Sequence, residues 1–337
     1  MTDYTRTTPT TIRDVAKAAG VSIGTVSKAL NQTGAIAAET RARVLAVAKN
    51  LQFRPNTLAK SLHSGLSGSI GLISNDSFGR FTMPIMHGLE AVLAPQGIGV
   101  FMCNATDDPA REQAHVEQLM AKQVDGIVVT ARRSDRRPSV HLAGLGVPVI
   151  YVFAHSDDEG ALTLLPDDKG GAELATNHLV QIGRRRIAHI TGPDHFEAVQ
   201  LRCAGYLSSL AALNIPPLPI LHGTWTEAWG REALAQLFTS ANPPDALFCG
   251  NDLIARGAAD ALRERGLSVP GDVAIVGFDN WGVMAEASRP PLTSVDMNLE
   301  GLGAEAGRCM AAMIGGTALQ GLRHLPCSLV TRASTTG

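Results

Sequence analysis

Residues 11–31 read TIRDVAKAAGVSIGTVSKALN, and the spacing of their apolar side chains decides how the chain begins. Ile12, Val15, Ala16 and Ala19 fall at i, i+3, i+4 and i+7, which places them on one face of a helix. Thr11-Ile-Arg-Asp14 ahead of them has the form of a capping box, with a hydroxyl and a carboxylate for the free amides of the first turn. Gly20 stops that helix, because it enters the left-handed region without steric cost. Ser22 then caps a second helix, with Val26, Ala29 and Leu30 on its inner face and Asn31 at its end. A third helix is expected from about Glu39 to Asn50, with Val44, Leu45, Ala48 and Leu51 closing a three-helix core. Two short helices joined across Gly20-Val21 form the arrangement of a helix-turn-helix, whose second helix can lie in a major groove.

Charge points the same way. Residues 1–68 hold nine of the 29 Lys and Arg but only three of the 31 Asp and Glu, so a basic head precedes an acidic body and the net charge of −2 conceals the difference. That balance fits a head that meets a polyanion and a body that does not. At 337 residues the chain holds two or three domains. Its five cysteines include no Cys-x-x-Cys, which argues against a disulfide scaffold or a cysteine zinc site. No apolar run approaches the ~20 residues of a membrane span, the longest lying near Leu145–Ala154, and the first residues lack the apolar core of a signal peptide. A cytoplasmic protein without membrane contact is expected.

The head, with ETRARVLAVAKNLQFRPNTLAKSL (residues 39–62) following it, resembles the DNA-binding region of the LacI/GalR family of bacterial transcription regulators without gaps. The resemblance implies that Ser22, Ile23, Gly24, Thr25, Ser27, Lys28 and Asn31 lie at or near double-stranded operator DNA, with Ile23, Gly24 and Lys28 closest to base edges. Ile23 and Gly24 offer no side-chain hydrogen bond, so readout there is apolar, for instance Ile23 against a thymine methyl. Ala37 stands where the family usually has a capping Ser, a loss of about 1 kcal/mol for the third helix. Arg54-Pro55 leads into NTLAKSLHSGLSGS, which by composition alone is a linker with a Pro-started helix. The resemblance makes Asn56–Leu62 a hinge helix in the minor groove, with Leu62 as an apolar wedge between base pairs. His63 occupies a position that is often basic in the family.

From Ser69 onward short apolar runs (SIGLIS, GVFMC, GIVVT, VPVIYVF, then RIAHI, LPILHG, ALFCG, VAIVGF) alternate with helical patterns. Such alternation produces parallel strands with crossover helices. The expected fold is an all-α helix-turn-helix head and hinge helix, joined to an α/β body of two doubly wound parallel-sheet lobes; the family resemblance, which continues more loosely through GRRRIAHITG, RCAGY, FCGNDLIARGA and VAIVGFDN, implies that this body is like a periplasmic binding protein. The expected divisions are 1–54 for the head, 55–68 for hinge and linker, 69–166 with about 297–325 for the first lobe, and 167–294 with about 326–337 for the second.

Ligands of open α/β sheets bind beyond the carboxyl ends of the strands, so facing lobes share one cleft. Arg202 (in RCAGY), Asn251 and Asp252 (after ALFCG) and Asp279 (after VAIVGF) are its polar candidates. Each also has a purely structural role open to it: Arg202 as a surface cation, Asp252 as the cap of the next helix, Asp279 as a turn residue. For Arg202, Asn251 and Asp279 the family resemblance favours ligand contact, and a guanidinium, an amide and a carboxylate suit the hydroxyls of a sugar or sugar derivative. Trp225 either adds an aromatic face for the apolar side of a sugar ring or is a core tryptophan, and Phe81 and Phe196 border the cleft from loops. A purine or other metabolite is the alternative effector. The expected whole is a homodimeric, allosterically controlled repressor with no cofactor, no metal and no catalytic residue. It reads a pseudo-palindrome and ends at SLVTRASTTG without a coiled-coil tail. An enzyme is disfavoured because no Gly-x-Ser-x-Gly, P-loop or His-Glu-x-x-His occurs, and GLGAEAG (residues 301–307) has the wrong spacing and no expected strand before it for a dinucleotide loop. A secreted solute-binding protein would not carry the head. His189, inside a strand, reads as a satisfied core residue.

Overall fold

A computed structural model describes residues 10–53, 65–106, 108–134, 142, 144–156, 158 and 160–336. The expected hinge segment, with Asn56, Leu62 and His63, lies outside them. Two compact units divide at Ser67/Gly68.

The first unit contains α1 (Ile12–Ala19), α2 (Ile23–Leu30) and α3 (Ala38–Asn50) around Val15, Ala19, Val26, Ala29, Val44 and Ala48, all buried. Asp14 accepts the Thr11 amide at 2.8 Å and the Thr11 hydroxyl at 2.7 Å, so the threonine hydroxyl is spent on the carboxylate. Gly20 closes α1 at φ +64°, and the Ser22 hydroxyl accepts the Thr25 amide at the start of α2. Ala37 precedes α3 without a side-chain cap, as expected. Leu45 and Leu51 depart from the expected core: they are 44% and 37% exposed. At 100° per residue Leu45 is rotated off the stripe of Val44, Val47 and Ala48. Leu51 stands past the last turn, where Gln52 at φ +49° bends the chain so that Phe53 packs in its place.

The second unit has two six-stranded sheets. The first holds β1 (Ser69–Ser74), β2 (Gly99–Asn104), β3 (Ile127–Thr130), β4 (Val149–Val152), β5 (Leu162–Pro166) and β11 (Gly321–Leu325), in the order β11-β5-β4-β3-β1-β2 and parallel throughout. The second holds β6 (Ile187–Thr191), β7 (Ile220–His222), β8 (Ala246–Cys249), β9 (Ala274–Phe278), β10 (Thr293–Asp296) and β12 (Ser328–Val330), in the order β12-β10-β9-β8-β6-β7. β12 runs antiparallel to β10, and the other strand pairs among the described residues are parallel. Both are doubly wound parallel sheets of the expected class.

Among the described residues, seven helices longer than one turn cover the sheets or link them: α4 (Thr82–Leu93), α5 (Pro109–Ala121), α6 (Asp168–Gln181), α7 (Glu197–Ala212), α8 (Glu227–Leu237), α9 (Asp252–Glu264) and α11 (Leu299–Ile314), with single turns α10 (Gly282–Ala285) and α12 (Ala333–Thr336) besides. Asp108, Asp167 and Thr226 cap α5, α6 and α8 by accepting amides of the first turn. The chain passes between the sheets three times: after β5, after β10 and after β11. GLGAEAG lies inside α11, and β10 does precede it, contrary to the sequence expectation. Its glycines serve packing: a Cβ on Gly303 would lie 1.9 Å from the Ile85 carbonyl, and one on Gly88 would lie 1.9 Å from that of Glu300. The helices α4 and α11 therefore meet backbone to backbone.

Candidate functional site: a cleft between the two lobes

Strand ends of both sheets open onto one cavity of about 880 Å³. From the first lobe come Arg80, Phe81 and Phe153; from the second come Phe196, Arg202, Trp225, Asn251, Asp279 and Trp281. All six effector candidates named from the sequence line it. Phe81 and Phe196 sit at the N-caps of α4 and α7. Trp225 faces the cavity while packing on the second lobe's core.

Its polar centre is a buried chain of charges. Arg202, on α7, is 4% exposed, so it is no surface cation. Its Nε donates to Asp168 Oδ1 at 2.8 Å and its Nη2 lies 2.7 Å from the same oxygen. Nη1 donates to the Gly250 carbonyl and stands 3.9 Å from Asp279 Oδ1. The guanidinium lies 3.7 Å from the Phe278 ring centre. Asp168 opens α6, where the helix end itself favours an anion. Desolvation pushes the Asp168 and Asp279 pKa values upward, while the neighbouring guanidiniums pull them back.

Asp279 reaches the cavity because the chain kinks after β9. Asp279 has φ +97° and Asn280 φ +46°, conformations uncommon for residues with a side chain and held here by the Asp279 amide donating to Val295 and the Asn280 amide to Ser294. The opposite lobe answers with Arg80, whose Nη2 is bonded to Asp279 Oδ2. Arg80 is also stacked 4.3 Å from the Trp281 ring centre and 4.9 Å from that of Phe81.

The cap of α9 expected of Asp252 falls instead to Asn251, which also lines the cavity. Asn251 caps α9, its Oδ1 accepting the Ile254 amide at 2.8 Å. Asp252 is fully buried beneath the cleft, where it accepts the Trp281 amide at 2.7 Å and the Ser294 hydroxyl at 2.6 Å. Burial, and next the charge of Asp279, push its pKa up to about 7. His189 is a core residue stacked 4.4 Å from the Phe248 ring centre, and burial drives its pKa down to about 3. It is satisfied on one side only: Nδ1 bonds the Phe248 carbonyl at 2.9 Å, and Nε2 has no partner. Arg80, Phe153 and Trp281 escaped sequence reasoning. Trp281 follows the recognised VAIVGFDN by one residue, whereas nothing local to Arg80 announces a partner 199 residues away.

In the head, α2 presents Ser22, Ile23, Gly24, Lys28 and Asn31 to solvent and keeps Thr25 and Ser27 half-buried. Among the described residues no cluster of His, Cys, Asp and Glu could hold a metal, and no helix is long and apolar enough to cross a membrane.

Comparison with known proteins adds the lineage. Residues 11–56 match the family described as bacterial regulatory proteins, lacI family, and residues 176–335 match a periplasmic binding protein-like domain. A transcriptional repressor PurR of Haemophilus influenzae (strain PittEE) is 34% identical over 301 residues, 88% of each chain. The chain belongs to the lacI family of bacterial regulatory proteins. The PurR repressor of Pasteurella multocida is likewise 34% identical, over 88% of this chain and 89% of its own. Among solved structures, the lac repressor dimer bound to operator and the anti-inducer ONPF aligns with 98% of this chain and 100% of its own, at 28% identity and a TM-score of 0.75. A complex of the transcriptional regulator CelR with cellobiose aligns with 96% and 99%, at 28% identity and a TM-score of 0.64.

Proposed function

We propose that this family member is a transcriptional repressor that binds an operator as a two-fold dimer, and that a small molecule held between the two lobes controls its affinity for DNA. The observation that carries the reading is the buried Arg202–Asp279 pair beside Asn251, set among aromatic rings contributed by both lobes. A ligand that touches both lobes favours one angle between them, and it shifts operator binding only by its different affinity for the two arrangements. In the head, Ser22, Ile23, Gly24, Thr25, Ser27, Lys28 and Asn31 are the proposed DNA contacts. Asn56, Leu62 and His63 keep that role on sequence grounds. The relatives named as repressors and the operator-bound neighbour support the reading.

A sugar or sugar derivative suits the acceptor and donor set of Asp279, Asn251 and Arg202, with Trp225 and Phe196 against its apolar face. A purine is the second reading. It is favoured by the PurR relatives and by the ring-lined walls, where Phe81 and Phe153 stack at 5.0 Å. A gel shift on the chain's own upstream DNA, with sugars and purines added in turn, tests both. The expected result is that one class changes operator affinity and that Asp279→Ala keeps operator binding while losing the response. A response retained in Asp279→Ala places the effector elsewhere.

A further inference from the structure

Arg80 is the cleft's unusual feature. Its guanidinium sits between the Phe81 and Trp281 rings and crosses from the first lobe to Asp279 on the second. Only Nη2 of its donors has a partner at Asp279, while its Nε is buried without one. An orphaned buried donor costs free energy, and side by side with Nη2 it forms the edge that a carboxylate or phosphate takes with two parallel hydrogen bonds. Asp279 is meanwhile shared by two guanidiniums, Arg80 and Arg202.

Among the described residues the cavity wall carries four arginines, Arg80, Arg132, Arg133 and Arg202, against two carboxylates, Asp76 and Asp279, with Asp168 behind the wall as the buried partner of Arg202. One of those carboxylates is already answered, because Asp76 accepts the Phe81 and Thr82 amides at 2.7 and 3.2 Å at the start of α4. The other faces both guanidiniums.

We propose that the effector carries an anionic group, a carboxylate or a phosphate, and that Arg80 is the residue that selects it. The proposal rests on the cleft being the effector site. The ligand's anion takes the Nε–Nη2 edge of Arg80 and displaces Asp279, one anion exchanging for another in a desolvated place. Asp279 is thereby released to accept ligand hydroxyls beside Arg202. A neutral ligand can displace Asp279 only by leaving the Arg80 charge poorly matched between two rings, so it is disfavoured.

The test uses the full-length chain and inorganic phosphate as the minimal anion, titrated at constant ionic strength. Tryptophan fluorescence is the readout, since all three tryptophans lie in the body and Trp281 is covered by Arg80. A saturable change is expected in the wild type, weakened about tenfold or more in Arg80→Ala, where a charge-assisted bidentate contact is lost. Arg80→Lys restores part of it, since the charge returns without the fork. Asp279→Asn strengthens phosphate binding, because it removes the competing anion, and that gain is lost when Arg80→Ala is combined with it, whereas a merely structural Arg80–Asp279 pair would keep it. D-Glucose, D-glucuronate and D-glucose 6-phosphate, compared in the same proteins, separate carboxylate from phosphate selectivity. A phosphate response absent from both wild type and Asp279→Asn, or equal in wild type and Arg80→Ala, overturns the proposal. A neutral sugar or hypoxanthine that binds the wild type, is weakened by Asp279→Asn and is indifferent to Arg80→Ala overturns it while leaving the cleft as the effector site. An operator response that survives both Asp279→Asn and Arg80→Ala overturns both.

Discussion

Arg202→Ala is expected to act on folding before it acts on any ligand. Asp168 is almost wholly buried, and Arg202 is its charged partner, through Nε at 2.8 Å and Nη2 at 2.7 Å. The same guanidinium donates to Gly250 and lies on the Phe278 face at 3.7 Å. Truncation leaves one carboxylate and one carbonyl without their donor in a dry interior and empties the space of a long side chain. Removing one partner of a buried pair costs about 3–5 kcal/mol. In a body of this size that amounts to a fall in melting temperature on the order of 10 °C. The loss should depend on pH with a definite sign. Without Arg202, nothing offsets the desolvation that already raises the Asp168 pKa. A carboxyl whose folded pKa lies above its unfolded value contributes stability below the unfolded pKa and loses it as pH rises through the folded one. Urea unfolding of wild type and variant should therefore show a larger gap at pH 8 than at pH 5. A loss below about 1 kcal/mol, or one indifferent to pH, would refute the account of Arg202 as the anchor of a buried ion pair.

Two further outcomes follow from single groups. Asp252, pushed up to about 7 by burial, opposes folding once it ionises, so stability due to this group is present below pH ~4 and is lost as pH rises through about 7. Urea midpoints at pH 5 and pH 8 should differ in that direction in the wild type and differ less in Asp252→Asn. Gly303→Ala places a Cβ 1.9 Å from the Ile85 carbonyl, forcing α4 and α11 apart at a cost of about 3 kcal/mol or more; calorimetric melting of the variant checks it, and a change under about 1 kcal/mol contradicts the close approach of those helices.

How far the sequence reaches depends on the distance over which its signals act. The helix-turn-helix was legible because capping, apolar spacing and a stop glycine all act within one or two turns, as Ser22 over the Thr25 amide and Gly20 at φ +64° illustrate. Most parallel strands were legible too, because strands buried on both faces must be continuous apolar runs. β5, β10, β11 and β12 were passed over: LTLLP ends in a proline, TSVD carries a single large apolar residue, and GLRHL is an exposed edge whose pairing comes from β5 across the chain. The six cleft residues were placed by their position after strand ends and by family resemblance. What each does there needed the folded chain. Asn251 rather than Asp252 caps α9, because the kink after β9 brings the Trp281 amide, and β10 the Ser294 hydroxyl, onto the Asp252 carboxylate. Arg202 is a buried anchor because α6 delivers Asp168 to it. Arg80 belongs to the site only because the lobes close on each other. Local free energies are set by neighbours in sequence, whereas charge pairing in a desolvated cleft is set by neighbours in space, and only the tertiary structure decides who those are.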